Sequence, residues 1–396
     1  MKIVIVGAGL GGLTAALALY KHGFDVTVLE QAAMLGEIGA GVQLSSNATR
    51  VLYSVGVGER IEPLACEPLG KRVRLWSTGQ TWPLFDLGAH SREHYGFPYF
   101  TLHRADLHQA LVDGVRAIDA DAIHLGEKVV ELQQHEGGVK VRTARGVEYE
   151  ADLVIGADGV HSAVRGAFFG PDAPQYSGIM AWRGVIDATR LPEHLQTPYG
   201  VNWVGPGAHV IHYPLRAGRL VNFVGVVERD GWTVESWSER GRLDDCLRDF
   251  DGWHSDVQML IRAIEIPYKW ALMVREPMSR WVDGRVALLG DACHPTLPFL
   301  AQGACMAIED GYVLARCLAH HASNIDVALA RYQSLRTERT ERVLRGSAAN
   351  AKRFHNPELA HAAGAAAYVE REWTEAKIHE RYDWLFEYDA DGVAVE

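Results

Sequence analysis

The chain has 396 residues, of which 48% are hydrophobic and 22% charged, which excludes a disordered or collagen-like polymer. At about 150 residues per domain, two or three domains are expected. With 39 Lys+Arg against 50 Asp+Glu the formal charge is −11, which argues against nucleic-acid backbones or anionic membrane surfaces as the main partner.

The first element is an apolar stretch from Ile3 to Tyr20. Its glycines oppose a signal peptide or a membrane span, since each weakens a helix by roughly 1 kcal/mol. No other apolar run approaches the roughly 20 residues that a span needs. Ile3–Val6 instead reads as a strand buried on both faces. Gly7-Ala-Gly9-Leu-Gly-Gly12 follows, then a helix former from Leu13 to Tyr20, then a strand ending at Glu30. Together these make a complete dinucleotide-binding βαβ unit. Gly7 allows the tight turn, Gly9 the approach of a pyrophosphate, and Gly12 close helix–sheet packing. The helix N-terminus offers partial positive charge and free N–H groups to the phosphates. Glu30 is placed for the ribose hydroxyls. This unit alone does not separate NAD from FAD.

Residues of about 66–100 and 175–275 are rich in Trp and Tyr and alternate like strands. Asp152-Leu-Val-Ile-Gly156-Ala-Asp158-Gly159 then marks a strand entering a helix, as does Arg285-Val-Ala-Leu-Leu-Gly290-Asp291-Ala-Cys-His294-Pro295. Asp158 and Asp291 each suit either a turn cap or a ligand hydroxyl. A helix is expected from about Ala304 to Leu318, its N-terminus able to stabilise an anion. In Ala208-His-Val-Ile-His-Tyr213, a period of two puts His209, Ile211 and Tyr213 on one face and His212 on the other. His209 and Tyr213 are thus a polar pair over an aromatic ligand.

A long helix is expected over 326–355, with Arg336–Arg342 on a solvated face. The aromatics Tyr382, Trp384, Phe386 and Tyr388 are expected to pack on their own domain or on a partner subunit, which favours a homodimer. The five cysteines (66, 246, 293, 305, 317) are odd in number and scattered, so no disulfide framework follows and a reducing, cytoplasmic setting is expected. Cys293-His294 lacks a second ligand pair, so no metal site is expected.

The ordered set of glycine motifs resembles the single-component FAD-dependent aromatic hydroxylases, the p-hydroxybenzoate hydroxylase superfamily. The segments Gly290–Pro295 and Ala301-Gln-Gly-Ala-Cys-Met-Ala-Ile-Glu-Asp310 look most like the 3-hydroxybenzoate 6-hydroxylases, 6-hydroxynicotinate 3-monooxygenases and salicylate hydroxylases. The resemblance spans residue 2 to about 348. It implies an α/β fold in which a Rossmann-like FAD-binding domain (1–70, 101–174, 276–322) is interleaved with a β-sheet substrate domain (71–100, 175–275). A C-terminal helical region (323–396) follows.

It also implies FAD held by Gly7, Gly9, Gly12, Glu30, Arg104, Val130, Asp158, Asp291 and Ala304, with NADH or NADPH as transient co-substrate. The implied reaction hydroxylates an aromatic acid with O2. His209 serves as base, with Tyr213 as a proton relay; Tyr99, Gln43, Pro298 and Gln302 line the pocket. Gln302, or more weakly Arg183, would meet the ring carboxylate. Two departures stand out: no carboxylate near Arg74-Leu-Trp76, and Gln43 after Gly39-Ala-Gly41-Val where the hydroxynicotinate enzymes carry His. The competing readings are an FAD oxidase or epoxidase with a non-phenolic substrate, and a redox-sensing FAD protein that binds a partner.

Overall fold

The structure is a computed structural model, and it describes residues 1–36, 40–170, 174–231 and 239–396. Gly39 of the Gly39-Ala-Gly41 segment lies outside the described residues.

The chain opens with the strand Lys2–Val6, the helix Leu10–Lys21 and the strand Asp25–Glu30. Ile3, Val4 and Ile5 are wholly buried, as a strand covered on both faces requires. Lys2–Val6 pairs in parallel with Asp25–Glu30 on one side and with Leu153–Gly156 on the other. Val286–Leu288 and Ile123–Leu125 extend this into a six-stranded sheet with Val282–Asp283 at its edge. The first helix lies against Gly303–His320, the 18-residue helix expected from the sequence. Small residues make that approach possible: a Cβ on Gly311 would fall 2.8 Å from the backbone of Ala15.

A second, seven-stranded sheet uses residues 70–86 and 175–274, in the order Tyr268–Val274, Gln175–Asp187, Leu220–Glu228, Ala208–Leu215, Tyr199–Gly205, Gly70–Leu75, Thr81–Asp86. One face packs Trp182, Trp203 and Phe223 beneath two helices that the alternation did not reveal, Leu243–Asp249 and Ser255–Ala263. The other face packs Val73, Leu75, Val204 and Val226 in one core with Phe299, Phe354 and Phe386.

The tail is the helix Ile325–Phe354, then Ala362–Glu372 and Glu375–Phe386. Its aromatics are spent inside the chain: Tyr382 lies 5.1 Å from Phe85 and Phe386 lies 5.9 Å from Tyr99, ring centre to centre. They therefore give no support to a homodimer.

The expectation of a solvated Arg336–Arg342 face is corrected. Arg336 and Arg339 are buried, because the helical period sets them on the same stripe as Leu329, Tyr332 and Val343. That stripe faces Gly303–His320, whose Glu309 and Asp310 supply the compensating carboxylates. Arg336 reaches Glu309 at 2.7 Å and Asp310 at 2.6 Å, and Arg339 reaches Glu309 at 2.8 Å. Glu338 and Arg342 do face solvent.

Candidate active site

The strand-to-helix turn at Gly7–Gly12 opens on a cleft of about 610 Å3, lined by Gly7, Gly9, Glu30, Arg104, Asp158 and Asp291 among others. Each glycine meets a separate steric demand. Gly7 has φ +108°, and a Cβ there would lie 2.4 Å from the carbonyl oxygen of Ala157. On Gly12 it would lie 2.1 Å from that of Gly7, whereas on Gly9 it would meet nothing within 4 Å. The open space over Gly9 is where a phosphate group fits, facing the free N–H groups of the helix start. Glu30 accepts the Ala8 N–H at 2.9 Å and the Ala32 N–H at 2.8 Å. A carboxylate has about four lone-pair sites, so capacity remains for ribose hydroxyls. The residues present fit FAD. Gly12→Ala is expected to yield protein without bound flavin, seen as loss of visible absorbance after gel filtration.

Two residues of the implied FAD set, Val130 and Ala304, are not among those lining the cleft, and a third lines it with its carboxylate already engaged. Asp158 lines the cleft, but its carboxylate is occupied, accepting from Ser162 Oγ and from the N–H groups of Ala163 (2.7 Å) and Val164 (3.1 Å). It caps the helix Ala163–Phe168. Val129, not Val130, forms the cleft wall; Val130 is 52% exposed, as alternation along its strand demands. Ala304, in the first turn of Gly303–His320, packs against the core. Asp291 stands on a turn with a firm base: the Gly290 N–H donates to Asp310 at 2.9 Å, and His294 Nε2 lies 2.5 Å from the same carboxylate. The buried ion network thus also holds the cleft turn.

A second, smaller cavity lies between the large sheet and Pro298–Leu300. Gln43, Pro298, Asn202, Ile211, Lys71 and Tyr382 line it, with Phe299 and Phe354. Tyr99 donates its hydroxyl to Gln43 Oε1 at 2.9 Å, and Gln43 also hydrogen-bonds Tyr213. Burial raises the pKa of both phenols, so they stay neutral; Tyr99 donates to Gln43, whereas the Gln43 bond to Tyr213 works against that rise. Tyr213 also fixes the neighbouring loop, because a Cβ on Gly41 would strike its ring edge at 2.7 Å.

His209 is fully buried and packs its ring against Phe299 (5.2 Å) and Phe354 (5.3 Å), two walls of the cavity. Its partner is not Tyr213. Nδ1 lies 2.7 Å from His355 Nε2, and His355 Nδ1 lies 2.9 Å from the half-exposed Glu228. This chain assigns the tautomers. Glu228, as a carboxylate, can only accept, so His355 donates from Nδ1 and presents a bare Nε2. His209 then donates from Nδ1, leaving its own Nε2 with a lone pair. That Nε2 is buried and has no partner. Burial, and then His355, hold the imidazole pKa well below its usual value, so it is neutral. His212, on the opposite face as alternation requires, has neither ring nitrogen bonded, and burial lowers it to about 3.

The Gln302 amide is engaged within the chain. Its Nε2 donates to Ser45 at 2.9 Å and its Oε1 accepts from Asn47 at 3.0 Å. Arg183 lines the larger cleft, not the cavity. The reading from sequence missed Lys71, Asn202, Tyr382, His355 and Glu228. Four of them had no sequence signal. Tyr382 belonged to a noted aromatic cluster and was assigned to packing alone.

An FAD binding domain family model matches residues 1–347. The chain is 37% identical to a 3-amino-4-hydroxybenzoate 2-monooxygenase of Streptomyces platensis, covering 99% of this chain and 97% of that one. It is 35% identical to a 3-hydroxybenzoate 6-hydroxylase of Polaromonas naphthalenivorans, over 98% and 96%. Klebsiella pneumoniae HpxO, solved with FAD and uric acid, superposes with a TM-score of 0.83 at 28% identity, over 96% of both chains. The glycine cradle, the cleft it opens and these matches lead to one assignment: the chain belongs to the FAD binding domain family and, within it, to the FAD-dependent aromatic hydroxylases.

Proposed function

We propose that this protein hydroxylates the ring of a hydroxylated aromatic carboxylate, drawing electrons from NADH or NADPH and oxygen from O2. The observation that carries the reading is His209: a neutral imidazole, fixed in one tautomer, whose Nε2 has no partner and whose ring packs on Phe299 and Phe354, two walls of an aromatic-lined cavity. FAD, when bound, supplies the electrophilic oxygen. The chain's own task is to hold the ring, exclude water and make the ring electron-rich.

A phenol has a pKa near about 10, so it does not ionise unaided at neutral pH. His209 Nε2 takes the ring hydroxyl proton during attack, while its Nδ1 proton shifts to His355 Nε2 and the His355 Nδ1 proton to Glu228. The reverse shift, when the product oxygen is reprotonated, restores the starting tautomers. Tyr99, Gln43 and Tyr213 form a hydrogen-bonded chain along the pocket edge, beside Pro298.

In this reading the six-stranded sheet and its helices serve FAD, the seven-stranded sheet serves the substrate, and the tail helices cover the pocket. Among the described residues no helix is long and apolar enough to cross a membrane. All five cysteines are free and four are buried, which supports a cytoplasmic location.

The test is anaerobic stopped-flow reduction of the holoenzyme by NADH and by NADPH, across hydroxybenzoates and hydroxypyridine carboxylates. Strong acceleration by one aromatic acid, followed under air by a hydroxylated product, is expected. Carbon dioxide measured alongside that product tells simple from decarboxylative hydroxylation. Reduction indifferent to every acid, with none hydroxylated, would return the protein to the oxidase or redox-sensing readings.

A further inference from the structure

Lys71 stands on the strand Gly70–Leu75, paired with Gly200 of the neighbouring strand. With no side chain at Gly200, the lysine stem lies over that residue: a Cβ there would touch Lys71 Cγ at 3.4 Å. The ammonium sits in an aromatic corner, 5.1 Å from the centre of the Tyr99 ring and 5.5 Å from that of Phe85. No carboxylate pairs with it among the described residues. Ring faces attract a cation but do not neutralise it. Burial accordingly lowers the Lys71 pKa to about 8, so the group is still mainly charged at neutral pH.

Lys71 shares the smaller cavity with Phe299 and Phe354, the two rings against which His209 packs. Gly200, beside Lys71, and Val204, beside His209, are four residues apart on one strand, or about 13 Å along it.

We propose that Lys71 is the anion anchor of the substrate pocket, and that its separation from His209 selects rings whose carboxylate and hydroxyl are meta or para to one another. This rests on the function proposed above. An ortho-hydroxy acid carries both groups on adjacent carbons, where they bond each other and cannot address both ends of the cavity. A meta or para pair spans the ring. Asn202, whose buried Oδ1 has no partner, lies on the same wall and offers its amide to a further ring substituent.

The experiment titrates the FAD-loaded enzyme, read by flavin absorbance, with 4-hydroxybenzoate, 3-hydroxybenzoate, salicylate and the neutral 4-hydroxybenzamide. The wild type, Lys71→Arg and Lys71→Met are compared. The wild type is expected to bind the meta and para acids at least tenfold more tightly than the amide, with salicylate the weakest acid. Lys71→Arg keeps the preference for acids and Lys71→Met abolishes it, leaving amide affinity unchanged. In the unmodified enzyme, benzoate affinity should fall as pH rises through about 8, where the ammonium loses its proton, while benzamide affinity stays flat. Equal weakening of acid and amide in Lys71→Met, or a flat benzoate profile, overturns the anchor alone. Salicylate as the tightest acid overturns the regiochemistry. A wild type that binds none of the acids overturns the function reading, and the anchor with it.

Discussion

His209→Ala is expected to lower hydroxylation by about two to four orders of magnitude while the protein stays yellow. The size follows from what the residue does. General-base assistance is commonly worth that factor, and the polar groups lining the pocket edge do not replace it. Tyr99 and Tyr213 are held neutral by burial, and Gln43 has no basic site. FAD retention follows from distance in the fold, since the glycine cradle and Glu30 belong to the other sheet. Raising pH should partly rescue the variant on a phenolic substrate, because ionisation of the free phenol replaces the base. Glu228→Gln should act in the same direction but less, because it disturbs the tautomer of His209 without removing it. Turnover by His209→Ala within a few-fold of the wild type would remove this residue from the mechanism.

Arg336→Met should cost about 3–5 kcal/mol of folding stability, read from the midpoint of urea unfolding. Arg336 is wholly buried and touches two carboxylates, Glu309 and Asp310, that are themselves wholly buried. Removing the cation leaves both negative charges short of compensation, out of a total stability of typically 5–15 kcal/mol. Flavin release should precede unfolding, since Asp310 also holds the Gly290 N–H beneath the cleft. Arg345→Met is the control. Its partner Glu341 is at the surface, and an exposed pair is worth at most about 1 kcal/mol. The same network gives a pH signature. Burial alone would raise the Asp310 pKa, but His294 and Arg336 hold it down to about 2. A carboxyl depressed on folding stabilises above its unfolded value of about 3.9, and that share is lost as pH falls from there towards 2. Wild-type stability should therefore drop across that window.

The parts of the site that were legible in the sequence are those whose physical demand is local. Gly7, Gly9 and Gly12 answer three steric needs within one turn, and each need is visible in the order strand, glycines, helix. The facing of His209 and Tyr213 follows from a period of two in a single strand. What escaped depends on segments far apart in the chain. Gly70-Lys-Arg-Val-Arg-Leu75 alternates like a strand, and only Tyr99 and Phe85, brought from elsewhere, set the half-buried Lys71 ammonium against aromatic rings. His355 and Glu228 are joined across 127 residues. Gln302 was placed correctly at a helix start, yet Ser45 and Asn47 claim its amide. Arg336 and Arg339 carried a signal that charge alone hid: they continue the spacing of Leu329, Tyr332 and Val343, which marks the inward stripe of that helix.

The family match ends at residue 347, yet Phe354, His355 and Tyr382, three groups around the substrate cavity and its base, lie beyond it. The wall proposed to meet the substrate is thus partly built by the tail, which Arg339 joins to Glu309 and to the carbonyl of Leu385. Exchanging the tail beyond residue 348 for a relative's, with Glu309, Arg336 and Arg339 kept, should therefore alter the fit of the ring against Phe354 and Tyr382 while the glycine cradle at residues 7–12 stays as it is.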